Sequence, residues 1–142
     1  MSFTAAQLGL AVPLRGKRVD FLEFTLPWPP SVNHYWRHVG AKVLISKPGR
    51  LYRDAVAIHL VRSGHLEGRL FAQIDVYPPD RRERDLDNLC KSLFDSMQAC
   101  GTFANDSQFD EIRLSRREIR EGGAVRCVLW EMSQEEIEWT PS

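Results

Sequence analysis

Asp85-Leu86-Asp87-Asn88-Leu89-Cys90-Lys91-Ser92-Leu93-Phe94-Asp95-Ser96-Met97 is the stretch that organises the chain. Leu86, Leu89, Cys90, Leu93, Phe94 and Met97 recur at the spacing of a single apolar helical stripe, and Gly101 is placed to stop the helix. Asp87, Lys91 and Asp95 form a second row at i, i+4 and i+8, off that stripe. The segment predicts an amphipathic helix that starts with two carboxylates and an amine. Carboxylates bind hard divalent cations. The basic run Arg81-Arg82-Glu83-Arg84 directly before it carries guanidinium groups suited to phosphate. Together they point to metal-dependent chemistry on a phosphodiester.

Outward from this helix the pattern alternates between strand and helix. Upstream, Leu70, Ala72, Ile74 and Val76 alternate over a strand from about Arg69 to Tyr77, ended by Pro78-Pro79. Before that, Ser46 ahead of Lys47-Pro48 starts a helix that runs to about Arg62 and stops at Ser63-Gly64. Leu22, Phe24 and Leu26 mark a first strand from Asp20 to Leu26. The prolines of Pro27-Trp28-Pro29-Pro30-Ser31 forbid a sheet interior there, and Val32 to Ser46 reads as a loop. Downstream, a loop holding Asn105-Asp106 leads to strands at Phe109 to Arg120 and Ala124 to Met132, with Gly122-Gly123 suited to a hairpin turn between them. The predicted fold is a small mixed α/β (α+β) domain in the order β-α-β-α-β-β, a mixed sheet packed by two helices. Residues 1–18 read as a loosely attached arm, 19–133 as the folded domain, and 134–142 as an acidic tail.

At 142 residues the chain is one domain with a real core. Its formal charge is zero, but residues 1–91 carry a net +5 and residues 92–142 a net −5. The basic excess lies where the chemistry lies, so an anionic partner is compatible with a neutral total. Fifteen of the nineteen cations are arginine, the better residue for bidentate phosphate contacts. Cys90, Cys100 and Cys127 are an odd set without CxxC spacing, which argues against disulfide and zinc frameworks and for a reducing compartment. Met1 to Leu14 lacks a positive charge ahead of its apolar run and is interrupted by Pro13, unlike a signal peptide. No stretch is long enough to span a membrane. A cytoplasmic protein is expected.

Residues i and i+2 of a helix normally face different sides. At a helix start Asp85 can be the N-cap, or lie just before it, while Asp87 sits in the first turn, and their oxygens can then converge on one ion. Helix-start N–H groups favour negative charge there. Asp106 returns after the helix as a third carboxylate. Asp is also the commonest helix cap, and Asp87 with Lys91 is an ordinary surface pair, so the same letters fit a purely structural reading.

The loop around Asn33, His34, Tyr35, Trp36, Arg37 and His38, extended by Lys42 and Lys47, mixes rings, amides and cations. Such a mixture can grip nucleic acid by phosphate contacts and base stacking. Equally, Tyr35 and Trp36 can pack on the core and the lysines can be solvated. The i, i+4 pair His34 and His38 has no acidic or cysteine neighbour to complete a zinc site.

Three motifs occur in order: Leu26-Pro27-Trp28-Pro29-Pro30-Ser31-x-Asn33; Pro79-Asp80-Arg81-Arg82-x-Arg84-Asp85-Leu86-Asp87-Asn88-Leu89-x-Lys91; and Asp106 followed by Gln108. From about residue 20 to 132 the chain resembles the RusA-type Holliday junction resolvases. The resemblance implies a small homodimeric endodeoxyribonuclease, encoded by bacteria and their phages or prophages, that nicks four-way DNA junctions at symmetric positions. It implies Mg²⁺ as cofactor, with Mn²⁺ able to substitute, and no organic cofactor. Asp85, Asp87 and Asp106 are then metal and catalytic residues, Lys91 a further catalytic residue, and Arg84 a DNA contact. From their charge alone, Arg81 and Arg82 are expected to bind flanking phosphates beside it. Two departures stand out. Glu83 occupies a position where the family usually has arginine, and Asn105 a position where an acid often precedes the last catalytic aspartate. Rival readings are a non-catalytic junction-binding prophage remnant and a nuclease for other branched nucleic acids.

Overall fold

The computed structural model describes residues 13–132. In chain order the elements are β1 (Phe21–Leu26), α1 (Val32–Tyr35), β2 (Trp36–Val39), β3 (Lys42–Ile45), α2 (Lys47–Leu60), β4 (Leu70–Tyr77), α3 (Asp87–Ala99), a 3-10 turn (Asp106–Gln108), β5 (Phe109–Arg116) and β6 (Ala124–Glu131). Four strands form one mixed sheet in the order β1-β6-β4-β5, with β4 parallel to β5 and the other neighbours antiparallel.

Strand alternation sends Leu22 and Leu26 of β1, Leu70, Ala72, Ile74 and Val76 of β4, and Val125, Cys127 and Leu129 of β6 to one buried face. Val56 and Leu60 of α2 and Leu89, Leu93 and Met97 of α3 join them in a single core. Each large side chain buried there contributes about 1.5–3 kcal/mol relative to exposure. The α/β class, the two packing helices and the amphipathic stripe of α3 are as the sequence predicts. Helix α2 starts as expected, with the Gly49 N–H donating to Ser46 Oγ at 3.0 Å. Cys90, Cys100 and Cys127 are free thiols. No helix among the described residues is long and apolar enough to cross a membrane.

Three expectations are corrected. Residues 32–46 are not a loop but a single helical turn and a two-stranded hairpin, β2 with β3. Its two-residue turn starts with Gly40 at φ 61°, as the first central position of a II′-type turn requires.

Strands β5 and β6 do not form a hairpin. They flank β4 on opposite sides, and residues 117–123 cross its end, with the Arg117 N–H donating to Val76 O and the Arg120 N–H to Pro78 O. Strand β5 takes the edge because Asp110, Glu111, Ile112 and Arg113 are exposed, whereas β6 brings Val125, Cys127 and Leu129 to the core.

The described part of the expected arm is tied down. Arg15 donates from Nε to Cys100 O at 2.9 Å and from Nη1 to Ala57 O at 3.1 Å, and Arg18 pairs with Glu131 at 3.0 Å. Residues 1–12 and the expected tail, 134–142, lie outside the described residues.

Candidate functional site

The site begins where β4 ends. Pro78-Pro79 close the strand, and Asp80 organises the turn that follows by accepting the Arg82 N–H at 2.9 Å and Arg84 Nη1 at 2.7 Å. These contacts hold the Asp80 carboxyl at about 2, well below its ordinary value, the Arg84 hydrogen bond being the largest cause. Arg84 is fixed from other sides as well. Its guanidinium lies over the Trp28 ring, 5.7 Å from the centroid, and its carbonyl accepts Arg116 Nη2 at 2.6 Å.

Trp28 is seated by Gly123, which lies in the left-handed region at φ 72°. A Cβ on Gly123 would come within 2.9 Å of Trp28 Cβ and 3.2 Å of Pro79 Cδ. Gly123 turns no hairpin, since β5 and β6 are not neighbours. Its structural role is instead to admit Trp28 and Pro79, which are remote from it in sequence.

An open cleft of about 630 Å³ lies here, lined by Trp28, Asn33 and His34 of the segment after β1 and by Arg82, Arg84, Asp85 and Asn88 of the turn into α3 and its start. The two segments are tied together through α3, where Ser92 Oγ donates to Pro30 O at 2.8 Å. The structure thus brings Asn33, His34, Arg82, Arg84 and Asp85 to one place. Trp28, Asn88 and Arg116 belong to the same assembly; Trp28 and Asn88 stand in the motifs with no role assigned to them, and Arg116 carries no signal in the sequence. The tryptophan in Pro27-Trp28-Pro29-Pro30 was the available signal. Glu83 also lines the cleft and subtracts from its positive charge.

Asp85 lies just before α3, and Asp87 is the first residue of the helix. Both are exposed. The helix start has no side-chain cap, since Leu86 occupies the N-cap position. The i, i+4 ion pair of this segment is Asp80 with Arg84, not Asp87 with Lys91. Both structural uses of these carboxylates that the sequence allowed are therefore unmet. Lys91 is exposed one turn along α3 from Asp87. Arg37 and Lys42 are exposed on the β2–β3 hairpin, Lys47 opens α2, and Arg81 is exposed before the cleft.

Asp106 is elsewhere. It opens the 3-10 turn beyond the far end of α3, where its N–H donates to Gln98 Oε1 at 3.1 Å. A helix of 13 residues is about 20 Å long, and it stands between Asp106 and the Asp85–Asp87 pair. Among the described residues no three acidic, histidine or cysteine side chains converge on a metal-sized site. The expected cluster of Asp85, Asp87 and Asp106 is not assembled within one chain. The cause is the packing of α3: its apolar stripe from Leu89 to Met97 joins the core over the whole helix, so the residues beyond its two ends stay apart.

A model of the RusA endodeoxyribonuclease family matches residues 27–126, from the Trp28 segment through the cleft and Asp106 to β6. The chain belongs to the RusA family. Its similarity to the crossover junction endodeoxyribonuclease RusA of Escherichia coli K12 is 37% identity over 115 residues, covering 78% of this chain and 95% of the relative. The RusA protein of Enterobacteria phage 82 is 38% identical over 115 residues, again 78% of this chain and 95% of the relative. That of phage HK97 is 39% identical over 114 residues, 78% of this chain and 94% of the relative. RusA proteins of bacteria and of their phages are thus about equally similar to it, and the matched span takes in the arginine turn, the acidic helix start and Asp106.

Proposed function

We propose that this protein is a Mg²⁺-dependent, structure-selective endodeoxyribonuclease that resolves four-way DNA junctions by paired symmetric nicks. Membership of the RusA family supports the reaction class. The observation in the structure that carries the reading is the uncapped start of α3, where Asp85 and Asp87 are exposed beside an arginine-lined cleft.

The donor set fits a hard cation. It is all oxygen, and magnesium is commonly held by one or two carboxylates together with waters and a substrate phosphate. Asp85 and Asp87 would hold the ion, with Mn²⁺ able to substitute. When bound, the metal supplies an activated water and offsets charge on the scissile phosphate. Arg84, held on Trp28, presents a fixed guanidinium to a neighbouring phosphate, and Arg82 adds an exposed one. Lys91 offsets the negative charge that develops as the bond breaks. Water adds to phosphorus and the bond to the 3′ oxygen breaks, leaving a 5′-phosphate and a 3′-hydroxyl.

Asp106 joins this site from a second copy. Since α3 separates it from Asp85 and Asp87 in its own chain, Asp106 can reach the pair only across an interface. A two-fold dimer then carries two composite sites, one for each of two symmetric nicks.

The deciding experiment incubates a labelled four-way junction with the protein, with and without Mg²⁺, beside linear duplex, a flap and RNA hairpins. Paired nicks on the junction alone, lost without metal and in Asp87→Asn, are expected. Junction binding without nicking in Mg²⁺ would instead favour a non-catalytic binder, and equal cleavage of the flap a nuclease of broader range.

A further inference from the structure

The β2–β3 hairpin is not used by the chemistry, and its surface is unusual. Among the described residues its strands pair only with one another, and every residue from Arg37 to Val43 is exposed. Val39 and Val43 are 46% and 53% exposed close to its tip. Directly opposed residues share a face of a hairpin. Val39 opposes Lys42 and therefore also shares its face with Arg37, while Val43 opposes His38 on the other face. Both faces thus carry an exposed apolar side chain beside a basic one. The wider segment is basic too: residues 24–53 contain no aspartate or glutamate and hold Arg37, Lys42, Lys47, Arg50 and Arg53.

Such a hairpin would be marginal alone, but its root is clamped. Tyr35 is fully buried, and its hydroxyl bonds Asp95 of α3 and accepts Arg53 Nε of α2 at 2.8 Å. Ser46, at the end of the second strand, donates from its N–H to Tyr35 O at 2.9 Å and from Oγ to the same oxygen at 2.8 Å. The preceding residues, Asn33 and His34, line the cleft that holds Asp85. The hairpin is therefore a rigidly rooted projection beside the proposed cleavage site. Four residues per strand give it a reach of about 13 Å, more than the roughly 8.5 Å depth of a major groove.

We infer that the β2–β3 hairpin enters the open centre of a branched DNA, where Val39 and Val43 replace lost base stacking while Arg37 and Lys42 hold the flanking phosphates. Apolar side chains that enter a base step stabilise the unstacked state. A continuous duplex offers such a wedge no opening without the cost of unstacking, whereas a branch point has already lost continuity. The hairpin therefore confers preference for branched DNA rather than affinity for DNA in general. This inference rests on the nuclease reading above but concerns substrate selection, not metal chemistry.

The test places 2-aminopurine next to the branch point of a four-way junction and measures its fluorescence at saturating protein in EDTA. Wild type is expected to raise the signal about threefold or more on the junction, by unstacking the probe. Val39→Ser/Val43→Ser changes only exposed side chains and is expected to fold normally by circular dichroism. It should lose most of the fluorescence rise, and about tenfold of the preference for junction over duplex. Arg37→Ala/Lys42→Ala should bind all DNA more weakly, with a shallower salt dependence, yet keep the rise at saturation. A serine variant with undiminished fluorescence and preference would overturn the inference. So would a changed oligomeric state in that variant, which would assign the valines to a protein contact. Metal-dependent junction cleavage with no 2-aminopurine response in wild type would sink the wedge alone. Failure to bind or cut any junction would sink the nuclease reading with it.

Discussion

Asp80 and Arg84 are joined at 2.7 Å, so the arginine nearest the acidic helix start is already paired before any DNA arrives. The pairing orients the guanidinium over Trp28 and leaves its remaining donors for phosphate. Asp80 titrates at about 2, against an ordinary value of 3.8. Because the folded value is depressed, the pair's contribution is fully present above pH 3.8 and is lost as pH falls through 2. An NMR titration of the Asp80 carboxyl should find the low midpoint in wild type and a return toward the ordinary value in Arg84→Ala. The same variant should bind junction DNA more weakly across sequences, with the slope of log affinity against log salt reduced by about 1.

Gly123 leaves no room for a side chain where it meets Trp28 at the cleft. Gly123→Ala has to place a Cβ 2.9 Å from Trp28 Cβ and hold alanine at φ 72°. Gly122 has a similar φ of 80°, with nothing near its missing Cβ. Chemical unfolding should therefore show a loss of about 1 kcal/mol for Gly122→Ala, from the backbone alone. For Gly123→Ala the loss should be larger by about 1–3 kcal/mol of overpacking. Junction binding should fall in Gly123→Ala as Arg84 loses its platform, and stay close to wild type in Gly122→Ala.

The sequence carried some of this directly and some not at all. The stripe from Leu86 to Met97 and the alternation in β1 and β4 identify elements because one residue's neighbours in sequence are its neighbours on a face. Strand order needs more. The alternation in β5 and β6 does not say whether they pair with each other, and β4 between them competes for both ladders. The hairpin β2–β3 is not legible in the sequence, because its tip is exposed on both faces and shows no apolar alternation. The partnership of Trp28 with Gly123 depends on the chain crossing the end of β4. The three motifs announce the acids, but only the 13-residue run of α3 between them reveals that Asp106 stands at the wrong end of the helix for Asp87.

Tyr35, Arg53 and Asp95 brace the root of the hairpin. Arg53 donates to Asp95 at 2.6 Å, and the Tyr35 hydroxyl reaches both. Burial, reinforced by the Asp95 hydrogen bond, pushes the Tyr35 phenol upward, so it stays protonated through neutral pH. Tyr35→Phe leaves the ion pair intact and should cost about 1 kcal/mol. Asp95→Ala strands a half-buried guanidinium and a hydroxyl together and should cost about 2–3 kcal/mol. Equilibrium unfolding in urea gives both values, and a smaller loss for Asp95→Ala than for Tyr35→Phe would contradict the brace.

Asp87 and Asp106 give the sharpest test of a composite site. Asp87→Asn and Asp106→Asn should each be inactive alone, because every site in either homodimer lacks one carboxylate. In a mixed dimer the outcome depends on which chain supplies the third acid. If each site takes Asp85 and Asp87 from one copy and Asp106 from the other, one site of the mixed dimer is complete and the other lacks both residues. Refolding the two variants together should therefore restore nicking of a four-way junction. Half of the dimers in an equal mixture should be active, and the cuts should be single nicks rather than paired ones, since only one intact site exists per dimer. If all three acids acted within one chain, every site in the mixture would lack a carboxylate and no nicking would return. Separating single-nicked junctions from resolved duplexes on denaturing and native gels distinguishes the two cases, and the absence of any complementation would remove the second copy from the chemistry.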